Sequence, residues 1–301
     1  MQQIHNHSHN HQLNSYNKIF GIGIALNTVY IVVEIVAGLL INSMALIADA
    51  GHNLSDVLGL ILAWLGSYLA KTAVTKTRTY GLRKSTILAA LFNAIILLIA
   101  VGAITIEAIR KLVHPEPIGG TTMMIVAGIG VVINTLTALL FLKGREKDLN
   151  IKGAFLHMAA DAGVSLGVVV AGLLINLTGF YLIDPAISLV IVVVITFGTW
   201  SLLKDSFYLS MDAVPKNIDY EKVLNYLASV KGVEEVHDLH IWAMSTTEIA
   251  LTAHLVMPDD QMDDKFIEKV CIYLQSNFGI EHPTIQIEKS AQSACCNCEN
   301  V

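Results

Sequence analysis

The chain has 301 residues, 54% of them hydrophobic and only 15% charged, with a mean hydropathy of +0.59. Soluble proteins carry about 25% charged residues, so this composition excludes a purely soluble enzyme, while 6 Pro and 21 Gly exclude a collagen-like or disordered chain. Lys and Arg number 19 against 25 Asp and Glu, a net charge of −6, which argues against nucleic-acid binding by charge.

The N-terminal stretch, residues 1–17, carries four alternating histidines, His5, His7, His9 and His11. It lacks the charged n-region of a cleavable signal peptide. Six stretches then approach the roughly 20 apolar residues that a helix needs to cross a bilayer: Ile19–Ile41, Met44–Ala70, Ile87–Ile109, Thr121–Leu142, Ala154–Leu177 and Leu182–Leu203. Basic residues collect between the second and third (Lys71, Lys76, Arg78, Arg83, Lys84) and between the fourth and fifth (Lys143, Arg145, Lys147, Lys152). The positive-inside rule places those loops, and with them both termini, in the cytoplasm; Arg110 and Lys111 dissent.

Beyond Leu203 the charge balance turns acidic and the periodicity changes. Tyr220–Val230 and Asp263–Phe278 have helical spacing, whereas Val233–Ala243, Glu248–Met257 and Thr284–Glu288 read as strands. The predicted fold is therefore an all-α six-helix transmembrane bundle with a C-terminal α+β domain of αββαβ, ferredoxin-like order. The boundaries are a His-rich tail (1–17), the six-span transmembrane domain (18–205), the α+β domain (206–290) and a Cys-rich tail (291–301). The four cysteines do not form a disulfide framework: Cys271 stands alone on an apolar helix face as core filling, and Cys295, Cys296 and Cys298 crowd the end. Cys295 and Cys298 have the CxxC spacing that lets two thiolates chelate one ion, and the histidine tail offers weak additional metal binding.

Two spans carry the costly residues. The second contains Asp49, His52 and Asp56, the fifth His157 and Asp161. Residues four apart lie on one helix face, so each span projects a His–Asp pair. An acid at mid-bilayer costs about 2.5–3.5 kcal/mol on the insertion scale, too much for ordinary packing; polar glue between helices is the competing reading. Two imidazoles and two carboxylates make a four-coordinate N/O shell suited to Zn²⁺. Asp49 either holds a ligand in place or relays protons. Glu34 is an isolated acid and a candidate proton site, and Asn27, Asn93 and Asn134 read as interhelical hydrogen-bonders. In the soluble domain, strict strand alternation puts His237, Leu239 and Ile241 on one face and Asp238, His240 and Trp242 on the other.

Six spans, HxxxD in the second and fifth, Tyr80-Gly81…Arg83 between the second and third, and Val236-His-Asp-Leu-His-Ile-Trp242 in the C-terminal domain resemble the cation diffusion facilitator family of zinc exporters. The resemblance covers residues 18–288. It implies a homodimer that exchanges cytoplasmic Zn²⁺ for protons by alternating access; the short tails and compact inner loop favour a bacterial cytoplasmic membrane, and Cd²⁺ or Co²⁺ would also fit the N/O ligands. His52, Asp56, His157 and Asp161 fall on the family's transport site. His237, His254 and Glu288, with His240 and His282 less closely, fall on cytoplasmic positions that bind regulatory zinc in some members. Lys84 and Asp212 fall on a charge interlock at the dimer junction. No organic cofactor, nucleic-acid partner or catalytic residue is implied. The alternatives are an intramembrane zinc hydrolase, for which HExxH is missing, and a membrane-anchored zinc sensor.

Overall fold

The computed structural model describes residues 10–142, 149–258 and 264–290. Six long helices come first: α1 (Asn10–Ile41), α2 (Met44–Ala70), α3 (Ser85–Val113), α4 (Gly120–Phe141), α5 (Leu149–Thr178) and α6 (Ile183–Ser210). They are followed by α7 (Tyr220–Ser229), β1 (Glu235–Ala243), β2 (Ile249–Val256), α8 (Asp264–Phe278) and β3 (His282–Glu288). The second expected span coincides with α2; α3 and α5 overrun theirs by one to five residues at each end, α1 begins nine residues early, α4 is shifted by one residue, and α6 starts one residue late and ends seven late. Contacts divide the chain into two units, one of Met1–Ile61 with Asn93–Trp200 and one of Leu62–Phe92 with Ser201–Val301.

Among the described residues, five helices are long and apolar enough to cross a membrane, and α1 adds the apolar stretch Asn27–Ile41. Helices are what such a sequence must form, because lipid offers no partner for an unpaired backbone N–H or C=O. Large apolar side chains face outward, Leu40, Ile99 and Phe197 among them, as a lipid-bathed bundle requires. Trp64 stacks on Tyr68 near the C-terminal end of α2, with ring centroids 6.0 Å apart, the amphipathic pair expected at a membrane–water boundary.

Within the first unit the core gathers Tyr30, Leu46, Met123, Val168 and Ile195. Gly120 on α4 and Gly172 on α5 lie against each other's backbone: a Cβ at Gly172 would stand 2.9 Å from the Gly120 oxygen. Small residues let membrane helices approach closely. Gly172→Leu is therefore expected to cost about 1–3 kcal/mol, measurable as earlier thermal unfolding in detergent.

The turn between α1 and α2 is fixed from two sides. Asp184, buried at the start of α6, accepts from Ser43 Oγ (2.5 Å), Met44 N (2.7 Å) and Ala45 N (3.1 Å). A carboxylate thus satisfies the orphan donors and the positive end of α2. Lys111, 4% exposed, donates from Nζ to Asn42 O (2.6 Å) and Oδ1 (2.5 Å), and Asn42 also bonds Glu116. Of the two basic residues that dissented from the charge rule, Lys111 is a buried structural cation.

In the second unit the sheet order is β1-β2-β3, with β1 antiparallel to β2 and β2 parallel to β3. The αββαβ order expected from sequence is the order observed. Val223 and Leu227 of α7 and Val270 and Leu274 of α8 pack with Leu239, Ile241, Leu251, Ala253 and Leu255. The helices therefore cover one face of the sheet. Asp219 caps α7 by accepting from Lys222 N, and the Lys222 side chain lowers its carboxyl below the usual range. Tyr226 and Tyr273 stack at 3.9 Å across α7 and α8. Cys271 is half-buried, and burial pushes its thiol up. It should therefore resist alkylation at neutral pH until the domain unfolds.

Candidate metal centres

The intramembrane residues form an antiparallel ladder between α2 and α5. On its first rung His157 Nε2 lies 3.2 Å from Asp56 Oδ2, and on its second His52 Nε2 lies 3.2 Å from Asp161 Oδ1. The rungs are cross-linked by His157 Nε2 to Asp161 Oδ2 at 3.7 Å, and the imidazoles meet edge to face with centroids 6.2 Å apart. Donors bound at 2.0–2.1 Å around a tetrahedral ion stand about 3.3 Å apart, close to the two 3.2 Å rungs, while His157 is not in the set whose ligand atoms all lie close together. One ligand atom each from His52, Asp56 and Asp161 lies within 4.8 Å of the other two. His52 Nδ1, Asp56 Oδ2 and Asp161 Oδ2 are buried without a hydrogen-bond partner, a costly arrangement for groups with nothing to bind.

One turn beyond, Ser165 Oγ donates to Asp49 Oδ2 at 2.9 Å. Side-chain exposure falls along the ladder, from 42% and 34% at His157 and Asp56 to 22% and 2% at His52 and Asp161, and Asp49 and Ser165 are fully buried. Asp49 is thus held one turn beyond the ladder, on Ser165. Asn27 Nδ2 reaches Met158 Sδ at 3.9 Å. Asn134 departs from the expected role: it is buried, and neither its Oδ1 nor its Nδ2 has a partner.

In the C-terminal domain His237, His254 and Glu288 offer ligand atoms within 4.8 Å of one another. His237 Nε2 stands 3.2 Å from Glu288 Oε2, and His254 Nδ1 stands 3.1 Å from Glu288 Oε1. Cross-strand register puts His237 opposite His254, while Glu288 arrives from β3. His237 Nε2, His254 Nδ1 and Glu288 Oε2 are buried and, though they face one another, make no hydrogen bond, so the donor set fits a zinc ion.

The expected alternation on β1 is corrected by a bulge. The register shifts between His237 and His240, and Asp238 has φ +52°. The extra residue returns Leu239 and Ile241 to the core and places His237 and His240 on the same face, beside His254 and Thr252. His240 nonetheless turns to Asp238 Oδ1 at 2.9 Å, whose other oxygen faces His254 Nε2 at 3.5 Å. His282 does not join the cluster. It starts β3, six residues before Glu288, and its Nε2 meets Arg83 at 2.7 Å, while Arg83 also pairs with Glu248 at 3.0 Å. Lys84 donates to Asp212 at 2.6 Å within one chain. His5, His7, His9, Cys295 and Cys298 lie outside the described residues, as does the His11 side chain.

A membrane helix bundle with a buried His/Asp ladder, joined to an α+β domain with its own His/Glu cluster, defines a metal-handling integral membrane protein. The chain belongs to the cation efflux family, also called cation diffusion facilitators: residues 21–209 match its cation efflux transmembrane domain and residues 215–290 the cation efflux protein cytoplasmic domain. A "Cadmium, cobalt and zinc/H(+)-K(+) antiporter" of Bacillus velezensis is 34% identical over 95% of this chain and 93% of its own. The "Zinc transporter ZitB" of Yersinia pestis is 33% identical over 91% of this chain and 88% of its own. The metal-bound C-terminal domain of the CzcD transporter of Cupriavidus metallidurans is 33% identical and covers 24% of this chain and 99% of its own, with a TM-score of 0.22, too low to support a structural argument. The chain is a secondary transporter of metal cations rather than an enzyme.

Proposed function

We propose that the chain exports divalent transition-metal ions, Zn²⁺ foremost, from the cytoplasm in exchange for protons, with His52, Asp56, His157 and Asp161 holding the ion. The pairing of two HxxxD turns into one ladder carries the reading, since neither turn alone supplies four donors. Ion and protons compete for the same atoms, so loading releases protons and protonation releases the ion; imidazole titrates near pH 6.5 unperturbed, which suits a modest gradient. With both termini cytoplasmic, the exposed His157–Asp56 rung is the cytoplasmic entrance, and rocking of the bundle would present the loaded shell to the far side. The setting is a six-span protein of a bacterial cytoplasmic membrane.

In proteoliposomes, Zn²⁺ should stimulate proton flux, Cd²⁺ and Co²⁺ should do so more weakly, and Mg²⁺ should not, because imidazoles select the softer ions. Proton flux indifferent to every ion would overturn the reading.

The cytoplasmic domain acts in this reading as a dimerising zinc sensor, its ion held by His237, His254 and Glu288 and its junction with the membrane braced by Lys84 and Asp212. Zinc at 100 times its Kd should stabilise the domain by about 2.7 kcal/mol, seen as a rise in unfolding temperature that Glu288→Ala abolishes. His240 and His282 are expected to be dispensable for it. The terminal histidines and Cys295/Cys298 would gather ions without forming the transport site.

A further inference from the structure

Glu34, isolated in the sequence, has a partner in the fold. Its carboxyl group lies within hydrogen-bonding reach of Asp49, which joins α1 to the far end of the ladder. The Tyr30 hydroxyl donates to Glu34 Oε1 at 2.8 Å and the Ser165 hydroxyl to Asp49 Oδ2 at 2.9 Å. The other oxygens, Glu34 Oε2 and Asp49 Oδ1, are buried and receive no donor. Asn53, 7% exposed, lies beside the Glu34 carboxyl, and its Nδ2 has no acceptor. Glu34, Asp49 and Ser165 are fully buried and Tyr30 is 2% exposed.

Two ionised carboxylates at this range, both fully buried, repel strongly. A hydrogen bond between two carboxyl groups requires a proton on one of them. The groups already present argue for a proton rather than a metal ion: Tyr30 and Ser165 donate to the acids, and among the described residues neither acid belongs to a cluster of three metal-ligating atoms. The charged or titratable groups nearby are Tyr30 on α1, His52 on α2 and Asp161 on α5.

We propose that Glu34 and Asp49 form a dedicated proton-binding site, separate from the ion shell and one helical turn beyond it. It holds one shared proton when the shell is empty of metal and loses it when the divalent ion arrives. Only an O–H bond breaks, the proton leaves to solvent on opening of the bundle, and the pair is left anionic beside the dication. This rests on the transport reading above: it adds a proton site of its own to the protons that compete with the ion on its ligands.

Infrared difference spectroscopy of the full-length protein in lipid at neutral pH tests it. The metal-free protein should show a protonated carboxyl C=O band that shifts in D₂O and weakens on adding Zn²⁺. The band should be lost in Glu34→Gln, return in Glu34→Asp, and persist without its zinc response in Asp161→Asn. The Glu34→Asp protein guards against mistaking misfolding for loss of the proton. No band in the metal-free protein, a band that survives in Glu34→Gln, or one unmoved by zinc would overturn the proposal. If Asp161→Asn instead keeps both zinc transport and the zinc response of the band, it is the assignment of the ion shell that fails.

Discussion

Asp161→Ala is expected to lower zinc transport at least about 100-fold, since removing even a supporting partner of a metal ligand costs 10- to 100-fold in affinity and Asp161 is itself placed as a ligand. It is the most buried member of the ladder, and each of its oxygens faces a different imidazole, Oδ1 toward His52 and Oδ2 toward His157. Truncation leaves both histidines without their shared carboxylate, so the loss should exceed that of Asp56→Ala, whose side chain is one-third exposed and meets His157 alone. ⁶⁵Zn accumulation in vesicles under a fixed pH gradient measures the difference. Equal losses in the two variants would show that the inner rung has no special part in holding the ion.

Asp184→Ala should produce the largest fall in stability, about 3–5 kcal/mol, because one carboxylate serves three donors at the start of α2 and is close enough to Lys111 to feel its charge. Its loss leaves the Ser43 hydroxyl and two buried N–H groups without their acceptor and removes the opposite charge that Lys111 feels. Asp184→Asn, which keeps an oxygen acceptor but not the charge, should lose less. The pair is compared by unfolding in detergent followed by tryptophan fluorescence. Since α2 carries His52 and Asp56, a loosened start of this helix should also weaken zinc binding.

The sequence made some of this architecture plain and hid the rest for identifiable reasons. The spans were legible because lipid demands long apolar helices, and α2 begins and ends where its hydropathy does. The ladder was legible because helical geometry fixes what four residues of spacing do: His52–Asp56 and His157–Asp161 had to project as pairs. Their meeting is tertiary, yet two costly pairs in two spans have few other ways to be satisfied. The partner of Glu34 was not legible, since Asp49 lies on another helix and local spacing says nothing of which faces close. The bulge at Asp238 was hidden too: a left-handed residue is usually announced by glycine, and here an aspartate adopts φ +52° with its carboxylate between His240 and His254. Missing that residue reversed the assigned face of His237 relative to Leu239. The place of His282 was set by Arg83, almost 200 positions away in the chain, a contact that no strand pattern encodes.

The central claim, that the ladder between α2 and α5 holds the transported ion, is tested most directly with Co²⁺ as an optical probe. The full-length protein carrying His237→Ala, Glu288→Ala, Cys295→Ser and Cys298→Ser would be titrated with Co²⁺ in lipid nanodiscs. An intense visible spectrum of four-coordinate cobalt, bleached by Zn²⁺ and absent once His52→Ala and Asp161→Ala are added, is the predicted result. A weak six-coordinate spectrum, or an intense one indifferent to those two residues, would contradict the account.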